Sequence, residues 1–363
     1  MEICEKYLCT GCAACVAVCP AKCITMRPNE LSALLPFIDD EKCINCNLCK
    51  KKCPNNNPLP FLYPMRAYAA WSKDDEQHRT SASGGVASEM YKSILRKGGV
   101  GAGVTYDRIL GAHFIEIKSK EDVNACKNSK YVYSDAHGIY NLLKEKIRNG
   151  HNVLFIGLPC QVAALKSIMG KPYDNLITVD LICHGIAPAE FLNQHITAIE
   201  KKKGQHAQKV LFRDPYTYTY TFTLSTLNPD GNRFYSKTVR SFDNYQLGYH
   251  HALIYRDNCY KCCYARPERI SDLTIGDFSG YGRLAVKGSD TKERNCVLVN
   301  TQKGQDFLDS LLDCLVIEER PIDEALRYEI QLQHPSKPHK NRHVFCELYS
   351  KSKDFEKSCN RSL

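Results

Sequence analysis

Several things are missing from this chain of 363 residues. No run of 18 apolar residues occurs, so no membrane-spanning helix is expected. The opening stretch Met1-Glu2-Ile3-Cys4-Glu5-Lys6 has neither the basic nor the apolar region of a secretory leader. No low-complexity segment is present, and no motif points to nucleic acid. Covalent catalysis has no obvious Cys–His–acid set to rest on. These absences exclude membrane insertion and a nucleic-acid partner from the expected functions. They also bear on the 20 cysteines. Without an export signal, a cysteine-rich chain is better read as a reduced, cytoplasmic protein than as a disulfide scaffold. The apolar content of 43% and charged content of 25% are those of a globular protein of two or three domains.

What is present begins almost at once. Cys9-x2-Cys12-x2-Cys15-x3-Cys19-Pro20 is followed by Cys43-x2-Cys46-x2-Cys49-x3-Cys53-Pro54. The two runs have identical spacing. This is the bacterial ferredoxin pattern for two [4Fe–4S] clusters, in which the fourth cysteine of each run ligates the other cluster. The cause is geometric. C-x2-C-x2-C winds the backbone around one cubane, and the x3 step sends the fourth side chain to its neighbour. Pro20 and Pro54 end each turn with a fixed φ and no competing N–H. Zinc also uses C-x2-C pairs, but a doubled run of four ending in Cys-Pro fits it poorly.

The net charge of +9 is unevenly spread once cofactors are counted. Residues 1–57 hold seven Lys/Arg and six Asp/Glu. Two oxidised clusters with their thiolates add about −4 to that segment. A basic body then carries an acidic head. Such a body attracts an acidic redox carrier, cofactor phosphates or an anionic substrate, although solubility alone explains the charge equally well.

Further along, Ile24–Met26 and Pro36–Ile38 read as short paired strands. Asn55-Asn56-Asn57-Pro58-Leu59-Pro60 reads as a linker. A new strand covers Ala67–Trp71. Ser83-Gly84-Gly85 precedes a helical apolar period at Val86, Met90, Ile94 and Leu95, stopped by Gly98 and Gly99. Val100–Tyr106 and Ala112–Ile117 read as paired strands, and His137–Arg148 as a helix. Val153–Ile156, a helix over Gln161–Ile168 and Leu176–Ile182 form a βαβ unit, which predicts a parallel sheet. Tyr216–Leu227 and Arg233–Val239, joined by Asn228-Pro229-Asp230-Gly231, predict an inserted β-hairpin. Strands are expected at Leu273–Phe278 and Cys296–Asn300, and a helix over Gly304–Leu315. The tail, with Pro335, Pro338 and mixed charge, reads as loosely structured or as a short docking arm.

A second set of thiols follows the βαβ strands. Cys160 and Cys183 sit at their carboxyl ends, where parallel sheets bind ligands. Cys259-x2-Cys262 adds two more, with Cys263 adjacent. Four convergent thiolates suit a third [4Fe–4S] cluster or zinc. Cys160 and Cys183 could equally be small buried residues, and Cys160 at a helix N-terminus could be a nucleophile.

The ordered segments Ser83-Gly84-Gly85-Val86, Ser129-Lys130-Tyr131-Val132, Gly157-Leu158-Pro159-Cys160-Gln161, Asp180-Leu181-Ile182-Cys183-His184-Gly185, Cys259-x2-Cys262 and Ser271–Phe278 make the chain recognisable. It resembles the family of coenzyme F420 hydrogenase and dehydrogenase beta subunits, in a version with an N-terminal two-cluster ferredoxin domain. Two positions depart from the pattern: Leu158 replaces a usual Thr, and Ser279 a usual Trp. The resemblance implies a ferredoxin domain at 1–57, a linker at 58–66, a body in two parts at 67–150 and 151–330, and a charged tail at 331–363. It implies an α+β head and an α/β body with a partly parallel sheet. It also implies FAD and a third cluster on Cys160, Cys183, Cys259 and Cys262. Ser83, Gly84, Gly85, Ser129, Lys130 and Tyr131 would bind FAD, with Lys130 neutralising its phosphates or the reduced ring. His184 would hydrogen-bond a sulfur or deliver a proton. Electrons would pass from the ferredoxin clusters through the third cluster and FAD to an organic hydride acceptor, F420 or another. The alternative is a non-catalytic relay subunit of a larger complex. The partners allowed are a redox carrier or partner protein, a small organic substrate and a second copy of the chain.

Overall fold

The computed structural model describes residues 2–217, 219–283 and 293–363. Fourteen strands are found among them. The head holds β1 (Ile24–Pro28) and β2 (Leu34–Ile38), antiparallel with Thr25 opposite Phe37. Their turn is closed by the Asn29 side chain, which accepts the N–H groups of Leu31 (3.0 Å) and Ala33 (2.9 Å).

The body is built on a nine-stranded sheet. Its strands are β3 (Arg66–Ser72), β4 (Val100–Asp107), β5 (Gly111–Ile117), β6 (Ser134–Asp135), β7 (Val153–Gly157), β8 (Leu176–Leu181), β12 (Leu273–Asp277), β13 (Asn295–Val299) and β14 (Leu315–Arg320), in the order β14-β3-β13-β12-β8-β7-β4-β5-β6. The four central strands β12, β8, β7 and β4 are parallel to one another. Antiparallel strands flank them. The central strands are apolar because both faces are covered. In β7, Val153 and Phe155 point into one core with Leu143, Val162 and Leu165. Leu154 and Ile156 point into the opposite core with Met90 and Ile94. Strand period 2 produces that split.

The excursion between β8 and β12 carries a three-stranded antiparallel sheet of β9 (Lys209–Leu211), β10 (Leu224–Leu227) and β11 (Arg233–Lys237). The β10–β11 hairpin begins at Leu224, not at Tyr216 as expected. Thr217, Thr221 and Thr223 instead hydrogen-bond one another through their hydroxyls. Local side-chain bonding thus wins over the alternating pattern. Tyr218, inside that expected strand, lies outside the described residues.

Two other expectations are corrected. The expected helix over Gly304–Leu315 is a helix at Gln302–Asp309 followed by a turn, and Leu315 opens β14. The expected loose tail is folded. Helices Arg342–Ser352 and Phe355–Asn360 bring Phe345, Tyr349 and Phe355 against Phe191, with ring centroids 4.7–5.4 Å apart. Each fully buried ring contributes roughly 2–3 kcal/mol, enough to outweigh the prolines and charges that suggested disorder.

The head lies directly on the body. Its short helix Ala14–Val18 packs into the core formed by helices His137–Arg148 and Pro159–Met169. The expected linker is also packed: Leu62 exchanges two backbone hydrogen bonds with Arg269, both 2.7 Å. Lys52 Nζ donates to the Ser167 carbonyl (2.8 Å), and Ser167 Oγ to the Lys52 carbonyl (2.9 Å). Tyr133 OH donates to the Gly11 carbonyl at 2.9 Å. Ser32 Oγ and Tyr349 OH lie 2.8 Å apart, tying the head to the folded tail.

Candidate functional site

No cysteine is paired in a disulfide, and most of those singled out line one of three cavities. In the head, Cys9, Cys12, Cys15 and Cys53 line one, and Cys19, Cys43, Cys46 and Cys49 line another. The fourth thiol of each run therefore stands at the other run's cavity. Repeated backbone conformation makes this possible. Gly11 and Asn45 occupy the same place in their runs, with φ of +68° and +55°, as do Ala13 and Asn47, with +61° and +58°. Each left-handed residue turns the chain so that the next thiol faces inward.

Two thiols outside the motif join these walls. Cys4 lines the first cavity and Cys23 the second. Cys23 Sγ is 3.4 Å from Cys19 Sγ. A hydrogen bond from Cys4 is the first cause that lowers Cys9 to about 7 and Cys53 to about 6. The spacing pattern gave no reason to single out either one.

The third cavity gathers Cys160, Cys183, Cys259 and Cys262. Cys160 opens the helix after β7, and Cys183 follows β8. Cys259 lies in the 3-10 turn Asp257–Lys261, with Cys262 just after it. Cys263 is exposed and not part of the wall. Burial pushes all four wall thiols upward, Cys259 to about 12. A bound metal's charge would ionise them. Among the described residues, no three His, Cys, Asp or Glu converge closely enough to hold a single metal ion. The thiols surround a space rather than a point. Cys12 is close enough for its charge to act on Cys160, and Thr10 of the head shares the third cavity.

A fourth cavity, of about 410 Å³, opens at the carboxyl ends of β7, β8 and β12. Its wall includes Ser83, Gly85, Ser129, Lys130, Tyr131 and His184. It shares Leu158 and His184 with the thiol cavity. His184 thus stands at the junction. Its ring is exposed to the cavity yet enclosed by protein, and that burial lowers its pKa.

Gly84 is not on the wall. A Cβ there would come within 3.0 Å of Trp71 Cβ, and its φ is +120°. The glycine permits the turn and the close approach to β3. The first N–H of the following helix, on Val86, donates to Asn295 Oδ1 at 3.3 Å. Lys130 also differs from expectation. Its ammonium donates to the carbonyls of Cys126 (2.8 Å), Lys127 (2.8 Å) and Asn128 (3.1 Å). Its three protons hold the end of helix Lys120–Cys126. Burial lowers its pKa to about 8.

Sequence reasoning missed three titratable groups on this wall, Arg213, Glu329 and His250. Arg213, 2% exposed, pairs with Asp277 at 2.8 and 3.0 Å, and Asp277 also accepts from Ser83 Oγ. Glu329, 4% exposed, accepts the Ser279 backbone N–H at 2.8 Å, and burial raises its pKa to about 7. His250 is pushed down to about 4 by burial and then by the charge of His184. They come from segments far apart in the chain, so no local motif marks them. Tyr131, Phe222 and Tyr249 supply the aromatic wall, with Tyr131 4.9 Å from Tyr249 between ring centroids.

Comparison with known proteins follows the same division. Residues 8–57 match a 4Fe-4S dicluster domain. Residues 67–140 match the N-terminal part, and residues 150–325 the C-terminal part, of the coenzyme F420 hydrogenase/dehydrogenase beta subunit. The chain is 24% identical over 334 residues to one of the subunits of the F(420)H(2) dehydrogenase of Methanosarcina mazei, covering 88% of this chain and 87% of that protein. Over 57 residues it is 40% identical to a polyferredoxin-like protein of Methanocaldococcus jannaschii, 14% of this chain and 34% of that one. A solved xenon derivative of the F420-reducing [NiFe] hydrogenase complex from Methanosarcina barkeri aligns with 18% identity and a TM-score of 0.43, over 83% of this chain and 90% of that one.

Proposed function

The chain belongs to the family of coenzyme F420 hydrogenase/dehydrogenase beta subunits, and on that premise we propose that it is an iron–sulfur flavoenzyme. It exchanges electrons singly at its head and as hydride at the large cavity. One observation carries the reading. The first head cavity shares Thr10 with the body thiol cavity, which in turn shares Leu158 and His184 with the 410 Å³ cavity.

In this reading Cys9, Cys12, Cys15 and Cys53 hold one head cluster, and Cys19, Cys43, Cys46 and Cys49 the other. Cys160, Cys183, Cys259 and Cys262 hold a third. A cubane with four thiolates suits walls that surround a space, whereas a single zinc ion would need them to meet. The large cavity has the size of a cofactor pocket, and its lining mixes apolar and aromatic side chains with many polar and charged ones. Its place at the carboxyl ends of parallel strands suits a nucleotide. FAD bound there would supply the conversion between one-electron and hydride chemistry. Ser83, Gly85, Ser129 and Tyr131 would contact it. Lys130 would shape the loop that carries Ser129 and Tyr131 rather than pair directly with phosphate. The Arg213–Asp277 pair fixes the cavity floor. His184, whose pKa is lowered by desolvation, can accept or donate one proton at the junction. Tyr131, Phe222 and Tyr249 exclude water. Coenzyme F420 is the leading candidate for the organic partner because of the relatives.

A second reading is a relay subunit that needs a partner for catalysis. It is favoured by the exposed apolar residues Ile44 and Leu48 flanking exposed Cys46, and the Methanosarcina mazei relative is itself one subunit of its dehydrogenase. Anaerobic purification with iron, sulfide and flavin analysis tests the first reading. A cluster-loaded chain without flavin sinks it. A flavin-loaded chain that reduces no organic acceptor, F420 included, from reduced ferredoxin until a partner is added selects the second.

A further inference from the structure

Arg256 is 3% exposed, and no carboxylate among the described residues pairs with it. Its neighbour Asp257 is taken by Arg342 at 2.7 Å. An uncompensated buried cation is expensive and needs a reason. Its hydrogen bonds are to neutral groups. Nη2 donates to the carbonyls of Cys9 (3.3 Å) and Leu34 (3.0 Å). Nη1 has no hydrogen-bond partner. The guanidinium lies against Gly11, where a Cβ would come within 2.7 Å of it, and its carbon is 5.2 Å from the centre of the Tyr133 ring.

The missing counter-charge is in the thiol sites on either side. Cys9 belongs to the first head cavity and Cys259 to the body cavity. Arg256 touches both: its Nη2 donates to the Cys9 carbonyl at 3.3 Å, and its own carbonyl accepts the Cys259 N–H at 3.0 Å. An oxidised [4Fe–4S] cluster with four thiolates carries about −2, and reduction adds one more negative charge. A buried cation favours the more negative state, and low local polarity strengthens the effect. Among the described residues Arg256 hydrogen-bonds none of the second head cavity's wall, and Lys42, whose charge acts on Cys23 there, is exposed rather than buried.

We propose that Arg256 sets the reduction potentials of the two clusters it lies between. It holds the Cys9/Cys12/Cys15/Cys53 cluster and the body cluster above the outer head cluster, so that electrons run inward. This rests on the cluster assignment above. The same bonds to the Cys9 and Leu34 carbonyls join head and body, so one side chain both fastens the junction and biases it.

The test is an anaerobic redox titration of the intact chain, followed by electron paramagnetic resonance, for wild type, R256K, R256M and R256Q. Iron content and melting temperature are measured alongside. In R256M and R256Q, the two inner waves should move to lower potential by at least tenfold in the one-electron equilibrium, about 59 mV. The outer wave should stay in place, and R256K should keep the wild-type order. Three outcomes overturn the proposal: no wave moves, all three move alike, or R256K shifts as far as R256M. So does failure of both neutral variants to retain iron while R256K retains it, because Arg256 would then be only a fastener. Iron content separates this idea from the functional reading. A wild type with roughly eight irons refutes the third cluster, and the proposal then stands or falls on the inner head wave alone.

Discussion

The two cavities of the head share a motif and differ in their surroundings. Their cysteine spacing is identical, and the left-handed residues match in position. At the first run those residues are Gly11, which lies against Arg256 and accepts the Tyr133 hydroxyl, and Ala13, which is buried. At the second they are Asn45 and Asn47, which are exposed, beside exposed Cys46. Spacing therefore decides which thiols meet, and surroundings decide what a cluster held there would do. A doubled motif can make two chemically unequal sites without changing one ligand.

The largest expected contrast comes from removing one thiol from each twin. Cys12→Ser and Cys46→Ser should each lose roughly a third of the iron. Cys12 packs against the body core, so C12S should also lower the unfolding midpoint by roughly 5 °C, whereas C46S should leave it nearly unchanged. Iron analysis and calorimetry read both. Equal melting losses would erase the distinction between the twins.

A smaller effect tests how the tail supports the inner twin. His195, buried, sits between Asp243 (2.9 Å) and Glu356 (2.6 Å). Burial alone would lower its pKa, but the two carboxylates raise it to about 9. Its folded pKa lies above the ordinary value near 6.5. The stabilisation is therefore complete below that pH and disappears as pH rises through 9. Wild type should lose up to about 3 kcal/mol between pH 6 and pH 10, and H195Q should lack that dependence. Denaturant unfolding at the two pH values checks it. A parallel loss in H195Q would assign the dependence elsewhere.

The smallest effect is at the Lys52–Ser167 contact. Ser167→Ala removes one hydrogen bond between head and body and should cost about 1 kcal/mol, with no change at the outer thiols. Hydrogen exchange of the head amides would show whether the loosening stays local to the inner twin.

The sequence made some of this legible and concealed the rest for identifiable reasons. The eight head cysteines were readable because ligation imposes fixed local spacing. β7 and β8 were readable because strands covered on both faces are apolar throughout. The tail was misread because Pro335, Pro338 and its charges are conspicuous, while the signal for helix is only Phe345 and Tyr349 four residues apart. The strand β14 was hidden by its polar end, Glu318-Glu319-Arg320. Arg256 and Glu329 carry no motif at all. Their meaning comes from burial beside residues far away in the chain, and only folding brings those together. Lys130 stood in a recognisable segment, yet its three protons go to the backbone.

The way Thr10 and the Ala14–Val18 helix close over Cys160 and Cys262 bears on how the protein is made. A cluster held by the body thiols would have to be installed before the head seats, or the head would have to lift to admit it. Loading that site first would make biogenesis an ordered process, with the docked head as the closing stroke of maturation.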